Sequence, residues 1–279
     1  MTARATDEVS GDLRRMVMSG LALAPAGANV VMQLSRLAVG HGVAESRVES
    51  GALLRHPVKR TRTTLAYVLV SLLGDETERE ALRRDVNRQH RLVRSRSGDP
   101  VVYDAFDPEL QLWVAACMYR GAHDAATTFF GAWASRPDSL DELYRRCSRF
   151  ATTLQVDPSR WPATRDDFDE YWREALAHVA MDEATRDYLR RVVSLEFLPW
   201  VLRWWLGPAH RFVTTGFLPA RFRDELGLSW GRVRQSAFTS LMAFCVWGAR
   251  VAPRVVREFP LNWILWDTRR RIARGRSVV

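Results

Sequence analysis

HPVKRTRTTLAYVLVSLLGDETEREALRRDVNRQH, residues 56–90, contains the boundaries of two consecutive helices. Proline is favoured in the first turn of a helix and glycine just after its end, so Pro57 and Gly74 predict one helix over residues 57–73. Its second half is almost entirely apolar, which is typical of a helix surrounded by protein. Arg60 and Thr64 share one face near its start, and a polar pair at the mouth of an apolar helix needs a partner.

The second helix of this stretch begins after Asp75, which can cap it, and Glu78 completes a capping box three residues later. The helical register then places Leu82, Val86 and His90 on one apolar stripe. Two interpretations of His90 follow from this position. It is either a core imidazole hydrogen-bonded to a backbone carbonyl, or an axial ligand to a metal or haem iron.

Composition and periodicity predict an all-α protein. The chain has 279 residues, of which 47% are hydrophobic and 26% charged, as in a soluble globular protein. No segment shows the alternation of a strand, and no internal repeat is present. We expect a flexible N-terminus at residues 1–10, one helical domain at 11–265 and a basic C-terminal tail at 266–279. The three cysteines are widely spaced without a CxxC pair, which indicates a reducing compartment.

Short motifs extend this core across residues 15–235. They are Arg60 with Thr64, Gly74, His90 with Val93, YDAFDP at 103–108, LWV at 112–114, WPAT at 161–164, Phe168, Tyr171, LP at 218–219 and GLSW at 227–230. With these motifs in this order, the chain resembles the oxygenase family that contains the latex-clearing protein (rubber oxygenase) and the MpaB-type oxygenases of fungal natural-product pathways. No single motif is specific, but their order and spacing are.

The resemblance implies a single multi-helix bundle that encloses one haem b, with His90 as the proximal ligand of the iron. Arg60 and Thr64 then belong to the haem pocket and assist catalysis. An acidic residue some fifteen positions before the arginine falls on Glu45 and acts near bound oxygen. Arg94, in the basic run after His90, is either a partner for a haem propionate or part of a solvated helix end.

The expected function is therefore a haem b-dependent oxygenase that uses dioxygen on an apolar substrate such as an isoprenoid, a lipid or a polyketide. The chain departs from the family pattern at two places, and the first of them makes rubber cleavage less expected than haem binding. Thr63 occupies a position where rubber oxygenases carry a lysine, and Arg36-Leu37 replaces a His-Pro pair of many relatives. Lys59, one turn before Thr63, is the only lysine of the chain, and His123 is the second choice of iron ligand.

Two alternatives come from other classes. The net charge of +9 is compatible with a nucleic-acid-binding helical protein, but arginines before residue 190 alternate with acids and no zinc-finger pattern is present, so we expect no nucleic-acid partner. The second alternative is a non-catalytic protein that binds haem or lipid at a membrane.

Seven of the eleven tryptophans lie from Trp200 onward among many arginines, which favours peripheral membrane contact through the C-terminal third. Core indoles with a solvated basic tail are the other interpretation. We expect a cytoplasmic, membrane-associated protein, because Pro25 and Asn29 interrupt the apolar run that follows Arg14-Arg15 and argue against an export signal.

Overall fold

The computed structural model describes residues 9–44 and 53–278, and this part of the chain contains helices and no strand. The all-α prediction is confirmed. The helices, in chain order, are α1 Gly11–Val17, α2 Ala26–Leu34, α3 Leu37–Ala44, α4 Pro57–Leu73, α5 Glu76–His90, α6 Pro108–Phe129, α7 Gly131–Ala134, α8 Ser139–Cys147, α9 Arg149–Thr152, α10 Arg165–Leu176, α11 Glu183–Val193, α12 Trp200–Phe217, α13 Ala220–Leu226, α14 Arg232–Val251, α15 Arg254–Glu258 and α16 Leu261–Ala273. Short 3₁₀ turns lie at Gly20–Leu23 and Pro158–Arg160.

The helix pair α4 and α5 begins and ends where the sequence predicts. Pro57 is the first residue of α4, and Gly74 caps its end with φ −78°, which is an ordinary rather than a left-handed conformation. Glycine is nevertheless required there, because a Cβ atom would lie 2.5 Å from the carbonyl oxygen of Val70. The capping box at the start of α5 is complete: Glu78 N–H donates to Asp75 at 2.8 Å, and Asp75 N–H donates to Glu78 at 3.2 Å.

The long helix α6 forms the centre of the core and contacts α2, α8 and α9. Trp113 on α6 is fully buried and stacks on Trp172 of α10 with 5.3 Å between ring centroids. Its indole N–H donates to the carbonyl oxygen of Gln33 at 3.1 Å, so the one polar atom of the ring is satisfied. The guanidinium of Arg36 lies 4.6 Å from the same ring.

Two helical stretches of the chain are interrupted at a serine. Residues 28–40 are interrupted between α2 and α3, where the Ser35 hydroxyl donates to Met32 O at 2.6 Å and the Ser35 carbonyl oxygen accepts from the backbone N–H of Ala180 at 3.0 Å. Residues 138–154 are interrupted at Ser148, whose hydroxyl donates to Arg145 O at 2.7 Å. Serine competes in this way with the helical hydrogen-bond pattern. Neither break contains proline or glycine, so the sequence carries no strong signal for it.

The structure also differs from the expected basic tail at residues 266–279. Helix α16 continues to Ala273 and packs on α4 and α5. Arg269 forms an ion pair with Glu78, with 2.8 Å between Nε and Oε1. Val278 is buried, and its N–H donates to Asp85 on α5 at 2.6 Å. Residues 1–8, most of the expected flexible N-terminus, lie outside the described residues.

No single helix in the described ranges is long and apolar enough to cross a membrane. Two helical segments joined at a 53° bend, Gly11–Val17 and Gly20–Leu34, reach that length and apolarity together.

Candidate active site

A cavity of about 270 Å³ lies at the junction of α3, α4, α5, α6 and α9, beside the segment that connects α5 to α6. Its walls are mostly apolar, and three of the residues predicted for the site, Arg60, Thr64 and His90, line it. Apolar walls with a few convergent polar groups are typical of a cofactor or small-molecule site. The apolar part of the wall comprises Leu34, Ala38, Val39, Val43, Val86, Val93, Ala105, Leu110, Val114, Met118, Phe150 and Leu154.

His90 is the last residue of α5, and its ring faces this cavity. Its Nδ1 atom is buried and has no hydrogen-bond partner among the described residues, which argues against a core imidazole satisfied through that atom. Burial is the largest cause that lowers the pKa of His90 to about 4, followed by the nearby positive charge of Arg60, while Asp104 opposes the shift. The imidazole is therefore neutral at pH 7, with a lone pair free to act as a ligand.

Arg60 lies in the first turn of α4. Desolvation lowers the pKa of its guanidinium, so the group is deep within the protein, yet the residue keeps accessible surface. The low pKa and the accessible surface are compatible, because the accessible surface of Arg60 faces the cavity. Tyr188 of α11 opposes this lowering of the Arg60 pKa, and its hydroxyl is buried without a partner among the described residues. Burial raises the pKa of Tyr188, which thus stays neutral beside the guanidinium.

Four further polar residues of α4 line the cavity, and two of them also donate to backbone carbonyl groups. Thr63, at the position of the rubber-oxygenase lysine, is buried and donates its hydroxyl to the carbonyl oxygen of Arg60 at 3.0 Å. Tyr67 donates to the carbonyl oxygen of Phe150 at 2.5 Å, and burial raises its pKa. Thr64 and Lys59 line the cavity and remain exposed, so they face whatever occupies it.

The segment between α5 and α6 is fixed against the cavity by a buried glutamine. Gln111 donates its side-chain N–H groups to Ala105 O and to Gln155, both at 2.8 Å. The backbone of the segment folds on itself, because Ala105 N–H donates to Val93 O at 3.0 Å. Tyr103, Asp104 and Ala105, which belong to the YDAFDP motif, are thereby held in the cavity wall.

Two of the predicted residues lie outside this wall, and a third lies outside the described residues. Arg94 is exposed and forms an isolated antiparallel bridge with Asp104, outside the set of lining residues. His123, the second choice of ligand, lies on α6 away from the cavity, with its ring beside Tyr119 and Asp124. Glu45 lies outside the described residues, so its role stays a prediction.

Sequence reasoning missed several cavity residues. Val114 and Met118 are one helical turn apart on α6, and that spacing is the signal that could have identified its lining face. Phe150 carries no comparable signal, because only the tertiary packing of α9 on α4 brings it to the cavity. Among the described residues, no group of three or more His, Cys, Asp or Glu side chains could hold a metal ion by itself.

The comparisons with known proteins agree with these motifs. Residues 13–247 match the model of the family described as ER-bound oxygenase mpaB/B'/Rubber oxygenase, catalytic domain. The chain is similar to the Uncharacterized protein Rv2237 of Mycobacterium tuberculosis and to the Uncharacterized protein Mb2261 of Mycobacterium bovis. Each is 43% identical over 252 residues, which cover 90% of this chain and 98% of the relative. No solved structure matches the chain significantly. The chain belongs to the family of ER-bound oxygenase mpaB/B' and rubber oxygenase catalytic domains, and is an enzyme of the oxygenase class.

Proposed function

We propose that this oxygenase is haem b-dependent and acts with dioxygen on an apolar substrate, such as an isoprenoid, a lipid or a polyketide-like molecule. The observation that carries the proposal is the His90 imidazole. It is half-buried and neutral, has a buried Nδ1 atom without a partner among the described residues, and lies in the wall of a largely apolar cavity. An unpaired buried polar atom costs free energy of about 1–3 kcal/mol, so we expect a partner that the described residues do not supply.

The residues of the cavity fit a haem. A neutral imidazole at the end of a rigid helix would suit binding of the haem iron, and aliphatic side chains would suit contact with its apolar macrocycle. Arg60, with its surface on the cavity, supplies a cation for a propionate or for a polar group beside the iron. When bound, haem b would supply the dioxygen chemistry that protein side chains alone do not provide.

The residues of the chain would position this chemistry rather than perform it. His90 would bind the iron, and Phe106, whose ring packs edge-on with 6.2 Å between centroids, would restrict the rotation of the imidazole. Arg60 and Thr64, one turn apart on α4, would orient bound groups through a charge-assisted and a hydroxyl hydrogen bond. Glu45 would hold or move a proton if the segment that precedes α4 brings it to the cavity.

The walls of the cavity support the apolar substrate class. Apart from Lys59 and Arg60 on α4, its polar members are mainly amides and hydroxyls, and the aliphatic and aromatic residues predominate. Such a wall stabilises an apolar molecule by removing its surface from water, at about 25 cal/mol per Å². It offers few groups for a strongly charged substrate.

Haem binding is tested by the visible absorption spectrum of protein expressed with a haem precursor. The wild-type chain should carry a Soret band, and His90→Ala should lower the haem content of the purified protein at least about tenfold. His123→Ala is the matched control, because this histidine lies outside the cavity wall, and it should retain haem. An unchanged haem content in His90→Ala, or a colourless wild-type protein that takes up no added haemin, would refute the proposal.

Turnover is a separate question from haem binding. If the reduced holoprotein consumes oxygen faster when an isoprenoid or lipid is added, it is an enzyme for that class of substrate. Haem retention without any such consumption across isoprenoid, lipid and polyketide-like compounds would instead indicate a haem-binding protein.

A further inference from the structure

The first two turns of α12, residues 200–206 with the sequence WVLRWWL, are exposed on every side; we call this segment the α12 head. Six of its seven residues are large and apolar, and Trp200, Trp204 and Trp205 are 76%, 67% and 69% exposed. Gly207, the next residue, is buried, and a Cβ atom there would lie 3.1 Å from the carbonyl oxygen of Ser194. The α12 head therefore projects from the helical domain, while the rest of α12 packs on α2, α11 and α14.

A helix that is apolar all round is normally surrounded by protein or lipid. The three indoles of the α12 head alone present on the order of 400 Å² of apolar surface, comparable with the largest apolar patch of a typical monomeric protein. Within the described residues, nothing covers this surface. The α12 head is therefore an unpartnered element, and the chemistry around it indicates what covers it.

The charge around the α12 head favours an anionic partner. Helix α12 contains Arg203 and Arg211 and no acidic residue, and residues 232–279 contain ten arginines against two acids. Arg203, within the α12 head, is exposed and forms no ion pair with the described residues. Indole rings beside unpaired guanidinium groups are typical of the membrane interface, where indoles lie at headgroup depth and cations meet phosphates.

A second surface also combines exposed apolar side chains with arginines, one of which, Arg254, forms an ion pair with Glu258. Leu241, Phe244, Trp247 and Val251 recur every three or four residues along α14 and form one exposed stripe. The stripe continues into the α15 region with the exposed residues Val255, Val256 and Phe259, and Arg250, Arg254 and Arg257 accompany it. We call these seven apolar residues the α14–α15 face.

We propose that the α12 head inserts into the headgroup and acyl-chain boundary of an anionic membrane, and that the α14–α15 face is a second lipid contact. A membrane covers a projecting helix on all sides, whereas a protein groove covers one face. The α12 head is about 10 Å long, which matches the roughly 5–10 Å depth of interfacial helices. The contact would be peripheral, since the segment is far too short to span a bilayer. This inference does not depend on haem.

Binding to lipid vesicles tests the proposal with the full-length protein. Co-sedimentation is measured with vesicles of phosphatidylcholine alone and of phosphatidylcholine mixed with phosphatidylglycerol. The wild-type protein should bind the mixed vesicles more strongly, and salt should weaken that preference. The double variant W204S/W205S should lower the partition coefficient at least about tenfold, because two indoles no longer enter the interface. F244S/W247S should lower it by a smaller factor.

The control variant is Val102→Ser, which removes an equally exposed apolar side chain from the segment between α5 and α6 and should leave vesicle binding unchanged. Circular dichroism should show the same helix content for all variants, because the changed residues are exposed. Equal binding by W204S/W205S and wild type, or no binding by the wild type, would overturn the proposal. Light scattering tests whether a second copy of the chain covers the α12 head instead of a membrane. If the wild-type protein is a dimer that does not bind vesicles, and W204S/W205S is a monomer, the α12 head is a dimer contact.

Discussion

At the scale of single residues, some buried polar groups have a partner within the chain, and others have none among the described residues. Arg146 is an example of the first kind. It is buried on α8, and its Nε–H donates to the carbonyl oxygen of Leu72 at 2.6 Å, in the last turn of α4. Carbonyl groups at a helix end lack a partner within the helix and carry partial negative charge, so a cation satisfies both needs. His90 is an example of the second kind.

We expect Arg146→Met to lower the free energy of unfolding by about 1.5–3 kcal/mol, because the Leu72 carbonyl loses a charged donor. Arg145→Met is the matched control, since its side chain is exposed on the same helix, and it should change stability by less than about 0.5 kcal/mol. Denaturant unfolding of the three proteins measures the difference. Equal effects of the two substitutions would show that the contact with α4 contributes nothing specific.

The residues of the site that share a helix could be predicted from the sequence, and those that come from distant segments could not. The register of α5 places Val86 and His90 on one face, and both line the cavity. Phe150 lines the same cavity only because α9 packs on α4, and no local pattern encodes that contact. Arg94 shows that closeness in sequence is not sufficient either. It is near His90 in sequence, but it is not among the residues that line the cavity.

At the scale of elements, two helices approach closely where one of them carries glycine. A Cβ atom at Gly216 of α12 would lie 2.3 Å from the ring of Phe238 on α14, which is closer than real contacts allow. The ring of Phe238 also packs edge-on against Phe217, with 5.0 Å between centroids. The crossing of α12 and α14 therefore depends on the absence of a side chain at residue 216.

We expect Gly216→Ala to destabilise the protein by about 1–3 kcal/mol, because the Phe238 ring must leave its position. Gly248→Ala provides the control on α14, where a Cβ atom would meet nothing within 4 Å. It should be neutral or stabilising by up to about 1 kcal/mol through helix propensity. Thermal unfolding monitored by circular dichroism compares them, and a tolerated Gly216→Ala would mean that the crossing adapts.

Element boundaries could be predicted where a cap residue defines them locally. Pro57, Gly74 and the Asp75–Glu78 capping box give α4 and α5 their observed ends. The α12 head could not be foreseen as a projecting segment, because an apolar run predicts burial and the sequence does not show that two turns of it leave the domain. The expected membrane contact of the C-terminal third remains a proposal, now assigned to particular residues.

At the scale of the whole molecule, contacts far apart in sequence hold the helices together and make stability depend on pH. His41 of α3 is buried, and its Nε2 lies 2.6 Å from a carboxylate oxygen of Asp182, which caps α11. Partial burial raises the pKa of Asp182, but hydrogen bonds from Thr185 and His41 outweigh it and lower the pKa to about 2. The ionised carboxylate therefore connects two helices that flank the core.

A lowered pKa in the folded state means that the unfolded chain binds more protons between about pH 4 and pH 2. The contribution of Asp182 is thus fully present above its ordinary pKa of 3.8 and is lost as the pH falls towards 2. We expect Asp182→Asn to flatten the dependence of unfolding free energy on pH in this window. Asp187→Asn, an exposed acid on the same helix, should retain the wild-type slope. Identical slopes in all three proteins, measured by denaturant titration, would contradict this assignment.

The position of Lys59 makes the occupancy of the cavity measurable by chemical labelling. Lys59 is the only lysine of the chain and lines the cavity, so a limiting dose of an acylating reagent has one side-chain amine to modify besides the α-amino group. A guest molecule in the cavity should slow acylation of Lys59 and leave the α-amino group unaffected as an internal reference. Mass spectrometry of the two peptides would then rank unknown guests by the protection they confer, without a spectrum or a turnover assay.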